Sequence, residues 1–385
     1  MVFPSGGGIA GFVYWLIKGI MGWGWVAYGF AIFFFTLFIK LMLSPIDFLN
    51  KYLMRRNQVK QQALSAELAD IQQTYANDPL AMAKARQELF RKNGVGGIGT
   101  TLMSLVSVIV TMVVFFQVLG ALNNISYVNI YHEYTELAAV YEQYTTDADG
   151  NAIAVEDMTD EQKAALHQAI NDKYKATRTG FFWVKNIWQP DTPWSSAVMS
   201  FDEFNRTQPK ERRLADDQKD TYNAIMDNLD ASAKGGNGWL ILVILTGLAS
   251  FASTKLAMLM NKRHTPKPAE KKQPEEIITY SMRDAKRRAN AAPEQLPIDP
   301  AQMGKMMQYI MPLILIVFGL TQRSAFAIYM ISSSIVSTLL TVAFTFLVDL
   351  IIKKQRPKLE PKKDFDATII NPHAKYFKGG KKWKK

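Results

Sequence analysis

The feature that most constrains this chain is a set of five apolar runs, near 25–43, 99–121, 239–260, 306–320 and 325–348, separated by strongly polar segments. A helix needs ~20 apolar residues to cross a hydrocarbon core of ~30 Å. In lipid, backbone N–H and C=O groups must be satisfied within the spanning element, which helices do and open sheets do not. The expected fold is therefore an all-α polytopic membrane protein with a five-helix transmembrane core. The fourth run is short and carries Pro312, so it and the fifth read as a tight hairpin turning at 321–324. Ahead of the first run, residues 1–24 hold Trp15 and Trp23 with Lys18 as the one charge. A signal sequence would start with basic residues, so an interfacial amphipathic helix anchored by tryptophan fits better.

Charge orients the spans. Segment 44–98 holds eight Lys/Arg against five Asp/Glu, 261–305 ten against six, and the tail 349–385 twelve against four. Segment 122–238 reverses the balance, with eleven Lys/Arg against nineteen Asp/Glu. Short Lys/Arg-rich segments stay in the cytoplasm, which places the N-terminus and the acidic loop outside and the C-terminus inside. With this topology and no transit peptide, a bacterial plasma membrane is the expected location.

The polar segments have their own texture. Residues 44–98 read as a cytoplasmic helical hairpin, with Asp78-Pro79 as an N-cap and first-turn proline. Its basic face is either an ordinary solvated surface or a contact for acidic lipid heads and nascent chains. In the acidic loop, Thr159 with Gln162 spells a capping box opening a helix to about Thr177, and 209–229 reads as another helix. Between them, the aromatic and proline-rich stretch 181–194 suits a membrane-surface anchor. Residues 261–305 form a basic linker, and the Lys-rich tail with Phe377 and Trp383 suits ribosomal RNA or anionic lipid, or reflects orientation alone.

Inside the spans, chemistry is sparse. The chain has no cysteine, which excludes disulfides, thiolate metal sites and a cysteine nucleophile. No Ser/His/Asp or paired-carboxylate set lies within a span, so an intramembrane hydrolase is not supported, and neither an enzyme nor a cofactor is expected. Two cations fall within the runs, Lys40 and Lys255; Lys40 lies five residues before Pro45, with Thr36 one turn before it and Ser44 one turn after. A cation at mid-bilayer costs at least ~2.5 kcal/mol, yet Lys40 is also close enough to the helix end to snorkel. Hydroxyls recur at helical spacing at Thr100, Ser104, Ser107 and Thr111, at Thr246, Ser250 and Ser253, and at Ser334, Thr338, Thr341 and Thr345. Two readings stay open: these stripes enclose a wet groove around Lys40, or small residues let membrane helices pack closely.

Four stretches stand out in order: T-L-F-I-K-L-M-L-S-P (36–45), the hairpin with I-Q-Q-T-Y-A-N-D-P and E-L-F-R-K-N-G-V-G-G (71–79, 88–97), F-F-W-V-K-N-I-W-Q-P-D (181–191), and M-M-Q-Y-I-M-P with A-I-Y-M-I-S-S-S (306–312, 327–334). Together they resemble the YidC family of membrane protein insertases, which includes the mitochondrial Oxa and chloroplast Alb proteins. The chain departs from the family pattern at Thr100, Ser104 and Val106, at Arg323 to Ala325, and at Tyr329-Met330 and Ser333-Ser334. The resemblance implies an energy-independent insertase and chaperone whose hydrophilic groove holds a single positive charge. By that match, Lys40, Thr36, Thr100, Ser104, Ser107, Ser250, Ser334 and Thr338 would bind substrate. The implied partners are nascent membrane proteins, with Sec translocon and signal-recognition components meeting 44–98 and the ribosome or anionic lipids meeting the tail. A specialised membrane-protein assembly factor is the main alternative, and a channel or transporter a weaker one.

Overall fold

The computed structural model describes residues 2–262, apart from 5, 24–26, 76–78, 97, 148 and 150, together with 310 and 313–359. Among the described residues the regular structure is helical, with only isolated bridges and no strand. The helices are α1 (Gly8–Met21), α2 (Tyr28–Ala63), α3 (Ser65–Thr74), α4 (Pro79–Lys92), α5 (Ile98–Thr145) and α6 (Asp160–Thr177). They continue with α7 (Phe201–Thr207), α8 (Lys219–Asp227), α9 (Ala231–Lys234), α10 (Ile241–Lys262) and α11 (Ser324–Leu359). Four helices among the described residues, α2, α5, α10 and α11, are long and apolar enough to cross a membrane. The chain is an all-α, multi-pass membrane protein. Of the expected fourth span, 306–309, 311 and 312 lie outside the described residues, while 313–321 are helical and end in a bend before Ser324. The linker 263–305 and the tail beyond Leu359 also lie outside them.

Two helices run further than their apolar stretches. α2 passes through Pro45 to Ala63. Proline lacks the N–H that would bond the carbonyl one turn back, so the helix accepts one missing bond and continues. α5 spans 48 residues, about 72 Å at 1.5 Å per residue, more than twice what a bilayer requires. The capping box is present as read: Gln162 N–H bonds Thr159 Oγ1, and Thr159 N–H bonds the Gln162 side chain, opening α6. The segment 209–229, expected as one helix, is two 3-10 turns followed by α8.

The chain divides into two compact units. The first comprises Met1–Leu43, Val110–Leu256 and Ile298–Leu340; the second comprises Ser44–Ile109, Ala257–Pro297 and Thr341–Lys385. In the first, α1 buries Val13, Tyr14, Ile17 and Ile20 in the same apolar cluster as Ile32 and Phe35 of α2 and Leu122 and Ile125 of α5, while Trp15 stays exposed. The acidic loop packs Trp188, Phe204, Tyr222 and Tyr174 into that core. Burial pushes the Tyr174 and Tyr222 phenols above their usual range, and the Tyr222 hydroxyl donates to the Met199 carbonyl at 3.0 Å.

A polar clasp inside this unit holds the starts of α10 and α11. Asp191 accepts from the N–H of Trp239 at 2.9 Å through Oδ1 and of Leu242 at 2.6 Å through Oδ2, while its carbonyl accepts from Leu240 at 3.0 Å. These are orphan donors of a helix N-terminus, where a carboxylate is also favoured by the dipole. The Gln189 carbonyl accepts from Ser324 N–H at 3.0 Å and Ser324 Oγ at 2.7 Å, and the Ile187 carbonyl from Ala325 N–H at 3.0 Å, at the start of α11. Asn237, fully buried, ties the strap together: its amide donates to the carbonyls of Asn186 (2.8 Å), Gln189 (3.2 Å) and Pro190 (2.9 Å) and accepts from Asn186 N–H at 2.8 Å. Asn186 in turn donates to buried Glu133 of α5 at 2.9 Å. Leu240 takes a left-handed backbone angle here (φ 63°), a conformation that costs roughly 1–2 kcal/mol outside glycine and is held by its N–H bond to the Asp191 carbonyl. At Gly238 a Cβ would collide with the Asp191 carboxylate, so no larger residue fits.

In the second unit, α3 and α4 pair through Leu64, Ile71, Ala85, Leu89 and Val95. The Lys60 ammonium donates to the Gly94 carbonyl at 3.0 Å, just past the C-terminus of α4, where a cation is favoured. The α2 and α11 portions meet through Val59, Val348 and Ile352, through Phe48 against Phe344, and through an ion pair from Arg55 Nε to Asp349 Oδ1 at 2.8 Å. Tyr52 adds a hydrogen bond to Gln355 at 2.8 Å.

Two outcomes follow. Asn237→Ala leaves several buried carbonyls unpaired at about 1–3 kcal/mol each, so thermal unfolding followed by tryptophan fluorescence in detergent is expected to show a clear fall in Tm; an unchanged Tm would remove the clasp from the account. Arg55→Ala and Asp349→Ala each lower stability by about 1–3 kcal/mol. The exchanged pair, Arg55→Asp with Asp349→Arg, is expected to recover much of that loss. An exchange no better than either single change would contradict a direct pairing.

Candidate functional site

The anticipated site residues divide between the two units. Thr36, Lys40, Ser250, Ser334 and Thr338 belong to the first and Ser104 and Ser107 to the second; the Thr100 side chain lies outside the described residues. On α2, Ile32, Phe35, Thr36 and Ile39 are buried, Phe38, Leu41 and Met42 are exposed, and Lys40 lies half-buried between these faces. Phe38, Leu41 and Met42 have the character of a lipid-facing surface.

Six hydroxyls on the long helices donate within their own helix. Thr36 donates to Ile32 at 2.7 Å, Thr246 to Leu242 at 2.8 Å, Thr254 to Ser250 at 2.9 Å, Ser332 to Ile328 at 2.7 Å, Thr338 to Ser334 at 2.7 Å and Thr345 to Thr341 at 2.7 Å. Each bond closes back by four residues, which lets a hydroxyl sit at membrane depth without an unmet donor. Such a hydroxyl still offers lone pairs. Thr246 also reaches the Ala327 carbonyl of α11 at 3.5 Å.

A second polar place was not anticipated from the sequence. In the second unit a cavity of about 200 Å³ is lined by Asp47, Asn50, Lys51, Arg55, Thr345 and Asp349, among others. Lys51 Nζ donates to the Thr341 carbonyl at 2.7 Å, Arg55 pairs with Asp349, and Ser107 of α5 donates to Asp47 at 3.3 Å. The signal was in the spacing. Because α2 does not end at Pro45, Thr36, Lys40, Ser44, Asp47, Lys51 and Arg55 recur every three or four residues along one helix, within a stripe about 100° wide at 100° per residue. Treating Pro45 as the end of the span cut that stripe in half. Among the described residues no group of His, Asp and Glu is arranged to hold a metal ion.

Comparison with known proteins places the chain among membrane proteins. The family described as 60Kd inner membrane protein matches residues 17–156. The membrane protein insertase YidC of Leptospira interrogans (serovar Lai) is 21% identical over 189 residues, covering 49% of this chain and 21% of that protein. The membrane protein insertase YidC of Aromatoleum aromaticum is 28% identical over 117 residues, covering 29% of this chain and 20% of that protein. The chain thus spans about a fifth of the length of the curated relatives it matches. No solved structure matches it. In its sequence motifs, its long apolar helices and these matches, the chain is similar to the YidC family of membrane protein insertases.

Proposed function

We propose that this protein inserts nascent membrane proteins into the lipid bilayer, without ATP and without covalent chemistry, through a hydrophilic groove carrying the single positive charge of Lys40. The observation that carries the reading is the half-buried Lys40 on an apolar helix, at the position matching the family's groove cation. Thr36, Thr100, Ser104, Ser107, Ser250, Ser334 and Thr338 line the groove in this reading.

The energetics are simple. A charge in a partly hydrated site of low dielectric attracts an opposite charge more strongly than in bulk water. An acidic outer segment of a substrate is drawn toward Lys40, and water in the groove reduces the cost of bringing polar groups to that depth. The substrate's own apolar helix then moves into lipid past the exposed apolar faces of α10 (Ile244, Leu248) and α11 (Leu339, Phe346), driven by burial of apolar surface. The hairpin α3–α4 receives substrate or Sec and signal-recognition components, and the basic tail contacts the ribosome or anionic lipid. The membrane is a bacterial plasma membrane, with the acidic loop outside and the C-terminus in the cytoplasm.

Insertion of a single-span protein with an acidic N-terminal tail into liposomes containing only this purified chain, scored by protease protection, tests the reading. Protection is expected above that of empty liposomes, to fall severalfold with Lys40→Ala, and to be largely kept with Lys40→Arg. Folded protein that gives no protection would overturn it in favour of a membrane-protein assembly factor, the reading that the large, well-packed acidic loop would then support.

A further inference from the structure

Glu133 is a buried carboxyl for which the groove reading has no use. It lies on α5, past the apolar run that ends at 121, by about 18 Å along the axis at 1.5 Å per residue. That puts it in the core of the acidic loop, beyond the stretch that lipid covers. Around it stand Tyr134 of its own helix, Tyr174 of α6, Tyr222 of α8, and Asn186 and Trp188 of the strap.

One of its oxygens is met: Oε2 accepts from Asn186 Nδ2 at 2.9 Å. The other, Oε1, is shielded from solvent and has no hydrogen-bond partner among the described residues. The cation that acts on it is Arg178, just past α6, whose guanidinium sits 5.8 Å from the centre of the Tyr174 ring and makes no ion pair with Glu133. His132 and Lys173, the other cations of α5 and α6 nearby, are paired with Glu136 on a more exposed side, and Glu203 of α7 acts on Tyr222. A buried carboxylate with a single amide donor keeps most of its charge uncompensated, whereas a neutral carboxyl keeps the Asn186 bond on one oxygen and carries its proton on the other. Burial accordingly pushes Glu133 up to about 8, and Asn186, the Thr179 backbone, Trp188 and Arg178 pull back only in part. The phenols facing it, those of Tyr134, Tyr174 and Tyr222, are also pushed up by burial from a higher starting point, so the carboxyl is the first of this cluster to titrate.

The charge state matters because of where Asn186 leads. Its N–H and carbonyl each bond the Asn237 side chain at 2.8 Å, and its Oδ1 accepts from Trp188 N–H at 3.0 Å. Asn237 holds the Gln189 and Pro190 carbonyls, Gln189 holds the start of α11, and Asp191 holds the start of α10. A single side chain separates the carboxyl from the clasp. A negative charge on Glu133 must find water or move toward Arg178, and either movement pulls on the Asn186 bond.

We propose that Glu133 is a proton-binding site that governs the clasp: the folded loop holds the carboxyl neutral, and removing its proton loosens the strap from α5 and with it the fixed starts of α10 and α11. The proposal stands apart from the insertase reading and does not depend on it.

The folded state keeps a proton that the unfolded chain, with an ordinary carboxyl, gives up. This contribution to stability is therefore complete below about pH 4.5 and is lost as the pH rises to about 8. The full chain in detergent tests it in two ways. Between pH 5 and pH 9 the Tm of the unaltered protein, followed by tryptophan fluorescence, is expected to fall by at least about 5 °C more than that of Glu133→Gln, which keeps the shape and cannot ionise. Asn237→Ala, which cuts the link to the clasp, is expected to remove at least half of that excess. Infrared difference spectra between pH 6 and pH 9.5 are expected to show the loss of a protonated-carboxyl carbonyl band that Glu133→Gln lacks. Parallel Tm profiles for the unaltered protein and Glu133→Gln, or an excess that Asn237→Ala leaves intact, would overturn the proposal. So would the absence of the infrared band from the unaltered protein at pH 6, a result that stands even where Glu133→Gln does not fold.

Discussion

The structure depends on one constraint: a helix that begins at or near lipid must find partners for its first backbone N–H groups, because no water there will serve. α10 and α11 meet it with one short strap. Asp191 takes the free donors at the start of α10, and the carbonyls of Gln189 and Ile187 take those at the start of α11. Asn237 and Asn186 lock the strap to itself, and Glu133 ties it to α5. The starts of α10 and α11 are thus fixed by one polar knot. The two helices can differ in packing along their length without losing register at that end.

Satisfaction from within also explains how so many hydroxyls are tolerated on the spans. Each Thr or Ser that closes back on its own helix removes its donor from the account and leaves acceptors in reserve. Such a helix packs in a dry interior, and with its lone pairs facing water it lines a wet one. The stripes are therefore compatible with both packing and a groove, and the decision falls to the charge they accompany, Lys40.

Much of this architecture was legible in the sequence, for identifiable reasons. Long apolar runs announce membrane helices because lipid allows few alternatives, and the Thr159–Gln162 capping box marks α6 because its chemistry is local. What stayed hidden is set by tertiary context. Pro45 looked like a terminus, yet α2 continues through it, and with that continuation came the polar stripe to Asp47, Lys51 and Arg55. The stretch 181–194 looked like a surface anchor; Phe182 and Trp194 are indeed exposed, but Trp188 is fully buried and Asp191 is a helix cap. Asp349 gave no signal of its own, since its meaning lies in Arg55, 294 positions away.

The central claim is that Lys40 sits in water rather than merely reaching toward an interface. The chain contains no cysteine, so single replacements can be labelled without background. The direct measurement is the rate at which a membrane-impermeant maleimide modifies Thr36→Cys, Lys40→Cys and Ser334→Cys in proteoliposomes, with Phe38→Cys on the exposed apolar face as the reference. Labelling at 36, 40 and 334 at least tenfold faster than at 38 is the result this account predicts. Positions 36, 40 and 334 as inert as 38 would contradict it, leaving Lys40 a snorkelling residue and the hydroxyl stripes a device for packing.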